Sequence, residues 1–351
     1  NNNISGNAVA EILALLNLSV AYLHLFNYEK AYEACNQSIK KMMQNFDTDR
    51  IFFAHTIIYE IYLSLCMYDK VDESELEISK ILKNKSIYKD PLDISIFKQT
   101  KRNFYYAMGH FETDIEIFEK NVEYQKDVKD LLEVFSSLCI TLNEIAEGKI
   151  NSIEKLEEEI LVITSTQVFL EKIYLLFYEL VYLIRKIIIF RSDIDFKKIV
   201  KIILGINCHS NQPLIKAPLL FLEAYIDPEN SEKKLTEALY LLENKYMTDL
   251  SIDINIKLGM IHLKKNNINM AMINFVEAQK LINIFIKKIP LKFKASYFNS
   301  HHYGLPSLII DDYINRKIKP EYTKFNELLS YKQIAKLLSK NAVEKLKNNP
   351  A

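Results

Sequence analysis

The residues of this sequence that could do chemistry include two histidines and two aspartates close to one another near the C-terminal end. His301 and His302 precede Asp311 and Asp312, and imidazole and carboxylate groups together can bind a metal ion. Adjacent histidines point apart on any regular element, however, and this spacing matches no familiar metal site. We therefore expect no metal ion here.

Cysteine and glutamate residues do not form a catalytic pattern either. Four cysteines are far apart in the chain, without a CxxC or Cys/His spacing that would bind zinc: Cys35, Cys66, Cys139 and Cys208. Cys35 lies on a predicted apolar helix face, which favours a buried free thiol. The glutamates at 157–159 follow Lys155 on a predicted helix, and this pattern is typical of a solvated face.

Motifs of the common enzyme classes are missing from the sequence. It contains no GxGxxG, GxxxxGK[ST], GxSxG or HExxH pattern. Without a glycine-rich loop or a nucleophile elbow, neither phosphate binding nor acyl transfer has recognisable machinery. We therefore expect a protein that is not an enzyme and that uses no cofactor.

The charge balance argues against nucleic acid as a partner. Lys plus Arg and Asp plus Glu both total 45, so the chain has no overall basic bias. The segment that starts at Ser330 is similar to the first helix of a helix-turn-helix, but no basic recognition helix follows before Ala351. We do not expect this chain to bind DNA.

Composition favours helices. Apolar residues make up 49% of the chain, and only 6 glycines and 8 prolines are present, so the loops should be short. The most apolar run, 173–190, contains Glu179, Arg185 and Lys186, which favours a buried helix over a membrane span. The N-terminal residues lack the pattern of a cleavable leader, and we expect a cytoplasmic protein without a membrane span.

A helical hairpin over 15–38 recurs about every 40 residues, which is the pattern of stacked helical repeats. Seven residues are predicted to open the second helix of successive hairpins: Ala31, Val71, Asp114, Ile153, Ile199, Leu235 and Ala271. The period predicts a stack in which each hairpin buries its apolar face against its neighbours.

The first and last of these units resemble the tetratricopeptide repeat. The matching residues of the first unit are Leu15, Leu18, Ser19, Tyr22, Ala31, Cys35 and Ser38. Those of the seventh are Leu258, Gly259, Ala271, Phe275 and Ala278. The resemblance covers roughly residues 8 to 286, and implies an all-α, right-handed superhelical α-solenoid of about seven hairpins.

This resemblance also implies where a ligand would bind. In the family, first helices line a concave surface, and projecting the first unit onto the second and third predicts five ligand-binding residues: Thr56, Glu60, Gln99, Asn103 and Tyr106. The spacing Gln99-x-x-x-Asn103 is similar to the Lys-x-x-x-Asn with which some members hold a peptide carboxylate. Asparagine amides can pair with a peptide backbone, and a solvated helix face is the alternative for each residue.

We predict three segments. Residues 1–204 are the N-terminal repeats, 205–286 the C-terminal repeats, and 287–351 a capping segment with a terminal helix from Glu327 to Leu346. The loop signals from Gly205 to Pro218 divide the first two segments. The residues from Ile289 to Phe298 are similar to the end of repeat regions in large bacterial signalling proteins.

Together these patterns predict a protein- or peptide-binding regulatory or sensor module of a bacterial signalling protein. Two alternatives remain open. The chain could be a passive assembly scaffold, or the regulatory region of a larger multidomain kinase, ATPase or transcription regulator. A homo-oligomer is also left open.

Overall fold

The structure is a computed structural model that describes most of the chain between residues 6 and 316. The described ranges are 6–25, 27–45, 50–84, 87, 90–111, 126–150, 153–165, 173–206, 213–242, 248–301 and 303–316. The predicted terminal helix from Glu327 to Leu346 lies outside them, as do Asp114, Cys208 and His302.

Within these ranges the chain forms α-helices and one 3-10 helix, and no strand. The α-helices are α1 Gly6–His24, α2 Tyr28–Asn45, α3 Ile51–Ser64, α4 Tyr68–Lys83, α5 Pro91–Ala107, α6 Lys126–Glu147, α7 Glu154–Ser165, α8 Ile173–Phe190, α9 Lys197–Gly205, α10 Pro213–Ile226, α11 Ser231–Leu242, α12 Thr248–Lys264, α13 Ile268–Phe285, α14 Lys294–Ser300 and α15 Leu305–Arg316. The 3-10 helix is Leu291–Phe293. The all-α prediction is confirmed for the described part of the chain.

Helices that follow one another pack together, notably α1 with α2, α3 with α4, α10 with α11 and α12 with α13. This arrangement is compatible with an α-solenoid. The right-handed superhelix and the number of hairpins stay predictions.

The turns between helices repeat the same hydrogen bond. The amide of Asn27 donates to the carbonyl of Tyr22 at 2.8 Å, and Asn267 donates to His262 at the same distance. Met67 donates to Tyr62 at 2.9 Å, and the residue before it, Cys66, has a positive φ of 55°. A left-handed residue followed by this bond ends a helix while satisfying its last carbonyls. Because this bond ends each helix, the turns between helices can be short and need no proline.

Small residues allow the paired helices to approach closely. Ser19 and Ala31 are fully buried, and the Ser19 hydroxyl donates to the Ala31 carbonyl at 2.7 Å. A Cβ on Gly259 would lie 2.7 Å from the ring of Phe275, closer than side chains tolerate. Leu18, which was matched to the tetratricopeptide repeat, is 43% exposed.

One predicted loop is shorter than expected. The loop signals from Gly205 to Pro218 suggested an irregular stretch, but α9 ends with Gly205 and α10 already begins at Pro213. Proline is well tolerated in the first turn of a helix, where its missing N–H has no intrahelical partner. Pro218 lies inside α10, where it removes one backbone hydrogen bond without ending the helix.

Two compact units can be distinguished. The first consists of Asn1–Tyr106, Phe111–Asn143 and Glu154–Leu180. The second consists of Ala107–His110, Glu144–Ile153 and Val181–Ala351. The predicted division at residues 204 and 286 stays a prediction.

Each unit has its own core. In the first unit, Tyr59 lies edge-on to Phe97 with ring centroids 5.1 Å apart, and Phe104 lies 5.7 Å from Tyr68. In the second unit, α13 packs against both α12 and α15. No helix in the described ranges is long and apolar enough to cross a membrane.

Candidate functional site

The five residues predicted to bind a ligand all lie in the first unit, on α3 and α5. Thr56 and Glu60 are on α3 and half-buried. Gln99, Asn103 and Tyr106 are on α5, and each is at most 5% exposed. The repeat pattern makes α3 and α5 the first helices of their hairpins. That these residues bind a ligand stays a prediction.

Two of the predicted residues meet a third that the sequence argument missed. The Gln99 Nε2 amide donates to Asn103 Oδ1 at 2.9 Å and to the Cys139 sulfur at 3.4 Å. The Cys139 thiol also donates to Asn103 Oδ1, at 2.8 Å. Cys139 lies on α6, which is again a first helix. Gln99, Asn103 and Cys139 form what we call the amide cluster.

The amide cluster leaves two polar atoms without a partner. Within the described part of the chain, Gln99 Oε1 and Asn103 Nδ2 are buried and make no hydrogen bond. A buried amide group without a partner costs about 1 to 3 kcal/mol, so such groups are rare in proteins. One free acceptor and one free donor are the complement of a single peptide unit, which has one N–H and one C=O.

Two of the other three predicted residues, Thr56 and Tyr106, already have interactions within the unit. The Thr56 hydroxyl donates to the carbonyl of Phe53 at 2.7 Å, a local bond within α3. Tyr106 is buried, and its ring centroid lies 5.8 Å from that of Phe111. The amide cluster itself contains two of the five predicted residues, Gln99 and Asn103.

Further polar residues lie next to the amide cluster. Arg102 donates through Nη1 to the Ser136 hydroxyl, which connects α5 with α6. Glu159 of α7 accepts hydrogen bonds from Ser137 and from Thr141, the latter at 3.1 Å. Arg102 directly precedes Asn103, and Ser136 lies one helical turn before Cys139; these spacings were the available sequence signal for the two residues.

Two carboxyl groups in this unit have strongly raised pKa values. Burial raises the pKa of Glu60 to about 7. Burial, and then the negative charge of Glu60, raise the pKa of Glu179 on α8 to about 8. Both groups therefore titrate near neutral pH, and each lies on a first helix. Glu60 is one of the five residues predicted from the sequence, whereas Glu179 was predicted only as a charge within an apolar helix.

We expect the replacement Glu179→Gln to reduce the loss of stability at alkaline pH. A carboxyl whose pKa is raised in the folded state binds its proton more tightly than in the unfolded state. Folding stability therefore falls as the pH rises from about 5 to above 8. Between pH 6 and 9, the variant should lose about 2 kcal/mol less stability than the original protein, as measured by urea unfolding.

The matched control for this prediction is Glu158→Gln. Glu158 is an exposed residue on α7, so its replacement should leave the pH profile of the unfolding free energy unchanged. If the unfolding free energies of the original protein and Glu179→Gln changed in parallel with pH, the raised pKa of Glu179 would be wrong.

The thiol of the amide cluster is a poor nucleophile. Burial, followed by the negative charge of Glu179, raises the pKa of Cys139 to about 12. The reactive species is the thiolate, so this group stays protonated and unreactive at neutral pH. Its role in the cluster is that of a hydrogen-bond donor.

The second unit contains a buried ionic network that joins α8 to the N-terminal part of α12. Arg185 pairs with Asp249 and Asp253, with both N–O distances 2.8 Å, and Lys186 Nζ lies 3.0 Å from Asp249. These side chains are at most 3% exposed. The network explains how an apolar helix run tolerates two cations.

His301, considered above as a metal ligand, belongs to this network instead. Its Nε2 lies 2.8 Å from Lys186 Nζ, and its Nδ1 lies 2.9 Å from the Tyr297 carbonyl. Burial, followed by the positive charge of Lys186, lowers the pKa of His301 well below its usual value, so the imidazole is neutral. No group of three potential metal ligands occurs among the described residues.

Comparison of the chain with family models, with curated proteins and with solved structures returned no match. The function must therefore be argued from the geometry alone.

Proposed function

We propose that the chain is a protein- or peptide-binding regulatory module without catalytic activity, and that the amide cluster and its surroundings in the first unit contact the ligand. The proposal keeps the tetratricopeptide-like character inferred from the repeats, and it assigns the module to a cytoplasmic bacterial signalling protein. The polar groups on α3, α5, α6 and α8 support this proposal. The repeat pattern predicts that all four are first helices, and first helices line the concave binding surface in the tetratricopeptide family.

The observation that carries the proposal is the pair of unpartnered atoms, Gln99 Oε1 and Asn103 Nδ2. A peptide unit in an extended ligand would donate its N–H to Gln99 and accept from Asn103. Both atoms are covered in the unbound protein, so Gln99 must rotate to receive the ligand. Satisfying two buried polar groups compensates for part of this rearrangement.

The carboxyl groups of Glu60 and Glu179 indicate which side chain the ligand carries. Glu60 and Glu179 are half-buried, and no cation is paired with either in the described part of the chain. A lysine or arginine side chain of the ligand would stabilise their ionised forms, and its binding would release a proton near neutral pH. We therefore propose a peptide with a basic residue close to the peptide unit held by the amide cluster.

The test is a selection of peptides from a random display library on the immobilised full chain, followed by affinity measurement with the soluble protein. Enriched peptides should contain a basic residue. Each of the variants Gln99→Leu and Asn103→Leu should weaken binding about tenfold, because a peptide hydrogen bond is lost in each. Each replacement exchanges the internal hydrogen bonds of one amide for apolar contact and removes one buried atom without a partner, so the fold should stay intact.

The matched control is Thr100→Leu, at a half-buried position on α5 whose hydroxyl donates to the Ile96 carbonyl. This variant should bind the selected peptides as the original protein does. If no peptide is enriched, or if all three variants bind equally well, the proposed function is wrong.

A further inference from the structure

The second unit contains a small cavity that the proposed peptide site does not use. Its walls come from α8, α10, α11 and α12 together with His301, and its volume is about 70 Å³. The apolar part of the lining includes Ile188, Phe221, Leu235 and Ile256. An apolar cavity of roughly 150 Å³ can hold benzene, so about half that volume suits a tail of roughly three or four carbon atoms.

Most polar groups around the cavity already have partners. Asp253 Oδ2 accepts from Arg185 at 2.8 Å, and its Oδ1 accepts from Tyr303 at 3.3 Å. His301 is held by Lys186 and by the Tyr297 carbonyl. Asp253 and His301 therefore line the cavity without offering a free charge.

Tyr225 is engaged as well. Its hydroxyl accepts from the amide of Phe196 at 3.0 Å and donates to the carbonyl of Ile194 at 3.2 Å. The Tyr225 hydroxyl is thereby fixed at the wall and has no further proton to donate to a ligand.

Lys257 is different. Its side chain lines the cavity and is half-buried, and the described residues supply it with no hydrogen bond or ion pair. Burial, and then the positive charge of Lys264, lower the pKa of Lys257 to about 8. An ammonium group in this position lacks the anion that buried charges require.

The neighbouring network does not supply this anion. Its two cations, Arg185 and Lys186, are paired with its two carboxylates, Asp249 and Asp253, so the network is balanced by itself. Lys257 therefore adds one uncompensated positive charge to a small apolar space.

We propose that this cavity binds a small aliphatic monocarboxylate, with its carboxylate paired to Lys257 and its short tail in the apolar part. The site is independent of the peptide site, because it uses other residues in the other unit. The size of the cavity limits the length of the ligand's aliphatic tail. Because Lys257 is a single cation, it favours a ligand with one negative charge.

A ligand titration followed by NMR tests this proposal with the sodium salts of acetate, butyrate and octanoate. Butyrate should bind roughly tenfold more tightly than acetate, since each buried methylene contributes about a fourfold increase. Octanoate should gain little over butyrate, because the cavity cannot contain the longer tail. The full chain is used throughout.

Two variants separate the two halves of the site. Lys257→Met should weaken butyrate binding at least tenfold and leave the binding of neutral 1-butanol unchanged, and its fold should be preserved because a half-buried unpaired charge is removed. Ala224→Leu places a larger side chain in the cavity wall and should abolish the preference for butyrate over acetate. Lys280→Met, at an exposed lysine on α13, is the control.

Two results would overturn the proposal. One is the absence of saturable binding by any of the three carboxylates to the original protein. The other is butyrate binding that is equal in the original protein, in Lys257→Met and in Ala224→Leu, since adventitious surface binding would not depend on either residue.

Discussion

Replacing Asp249 with alanine should lower the free energy of unfolding by about 3 to 5 kcal/mol, as measured by urea unfolding. Asp249 accepts from Arg185 at 2.8 Å and from Lys186 at 3.0 Å, and its side chain is fully buried. Without it, both cations remain in the interior and only Asp253 stays to balance them. Leaving buried charges unpaired is among the most destabilising single changes in a protein.

The control for this prediction is Glu73→Ala, which removes an exposed ion pair with Lys70. Surface ion pairs contribute little, so the unfolding free energy should stay close to that of the original protein. If Asp249→Ala were as mild as Glu73→Ala, the network would not be the buried structure described above.

Gly109→Ala should destabilise the protein by about 2 to 4 kcal/mol, also measured by urea unfolding. Gly109 follows α5 with a φ of +67°, a conformation that residues with a Cβ rarely adopt. An added Cβ would also lie 2.7 Å from the Cβ of Ser300 and 2.8 Å from the Ser296 carbonyl oxygen. The carbonyl belongs to the backbone of α14, so relief requires the helix itself to shift.

Gly205→Ala is the matched control. Gly205 lies at the end of α9, and an added Cβ would meet no atom within 4 Å. Alanine is the better helix former, so this variant should be neutral or more stable by up to about 1 kcal/mol. Equal effects of the two replacements would show that α14 does not pack against Gly109.

The all-helical fold could be predicted from the sequence because its signals are local. Five of the seven residues predicted to open second helices are fully buried in a helix: Ala31, Val71, Ile199, Leu235 and Ala271. Ile153 is half-buried and comes just before α7, and Asp114 lies outside the described residues. Close helix packing requires small or apolar residues at these points, and so the repeat leaves a visible period. The period does not determine the handedness of the stack.

The candidate site could be predicted only in part. Gln99 and Asn103 could be predicted as ligand-binding residues because they lie four residues apart on one helix. Cys139 was missed because its contact with Asn103 joins residues 36 positions apart. Glu179 was overlooked because a single carboxylate in an apolar run does not reveal which group it faces.

The ionic network could not be predicted for the same reason. Arg185 and Asp249 are 64 residues apart, and neither belongs to a motif. His301 was considered with its sequence neighbours as a metal ligand, whereas its partner is Lys186, 115 residues earlier. Long-range pairing depends on how the helices pack, and a single sequence does not encode it in a readable pattern.

The central claim, that the amide cluster holds one peptide unit, is tested most directly with ester analogues of a selected peptide. Replacing one peptide bond by an ester removes a single N–H. At the position held by Gln99, the ester should weaken binding to the original protein about tenfold and have no effect on binding to Gln99→Leu. If no ester position distinguishes the original protein from Gln99→Leu, the amide cluster does not bind the peptide backbone.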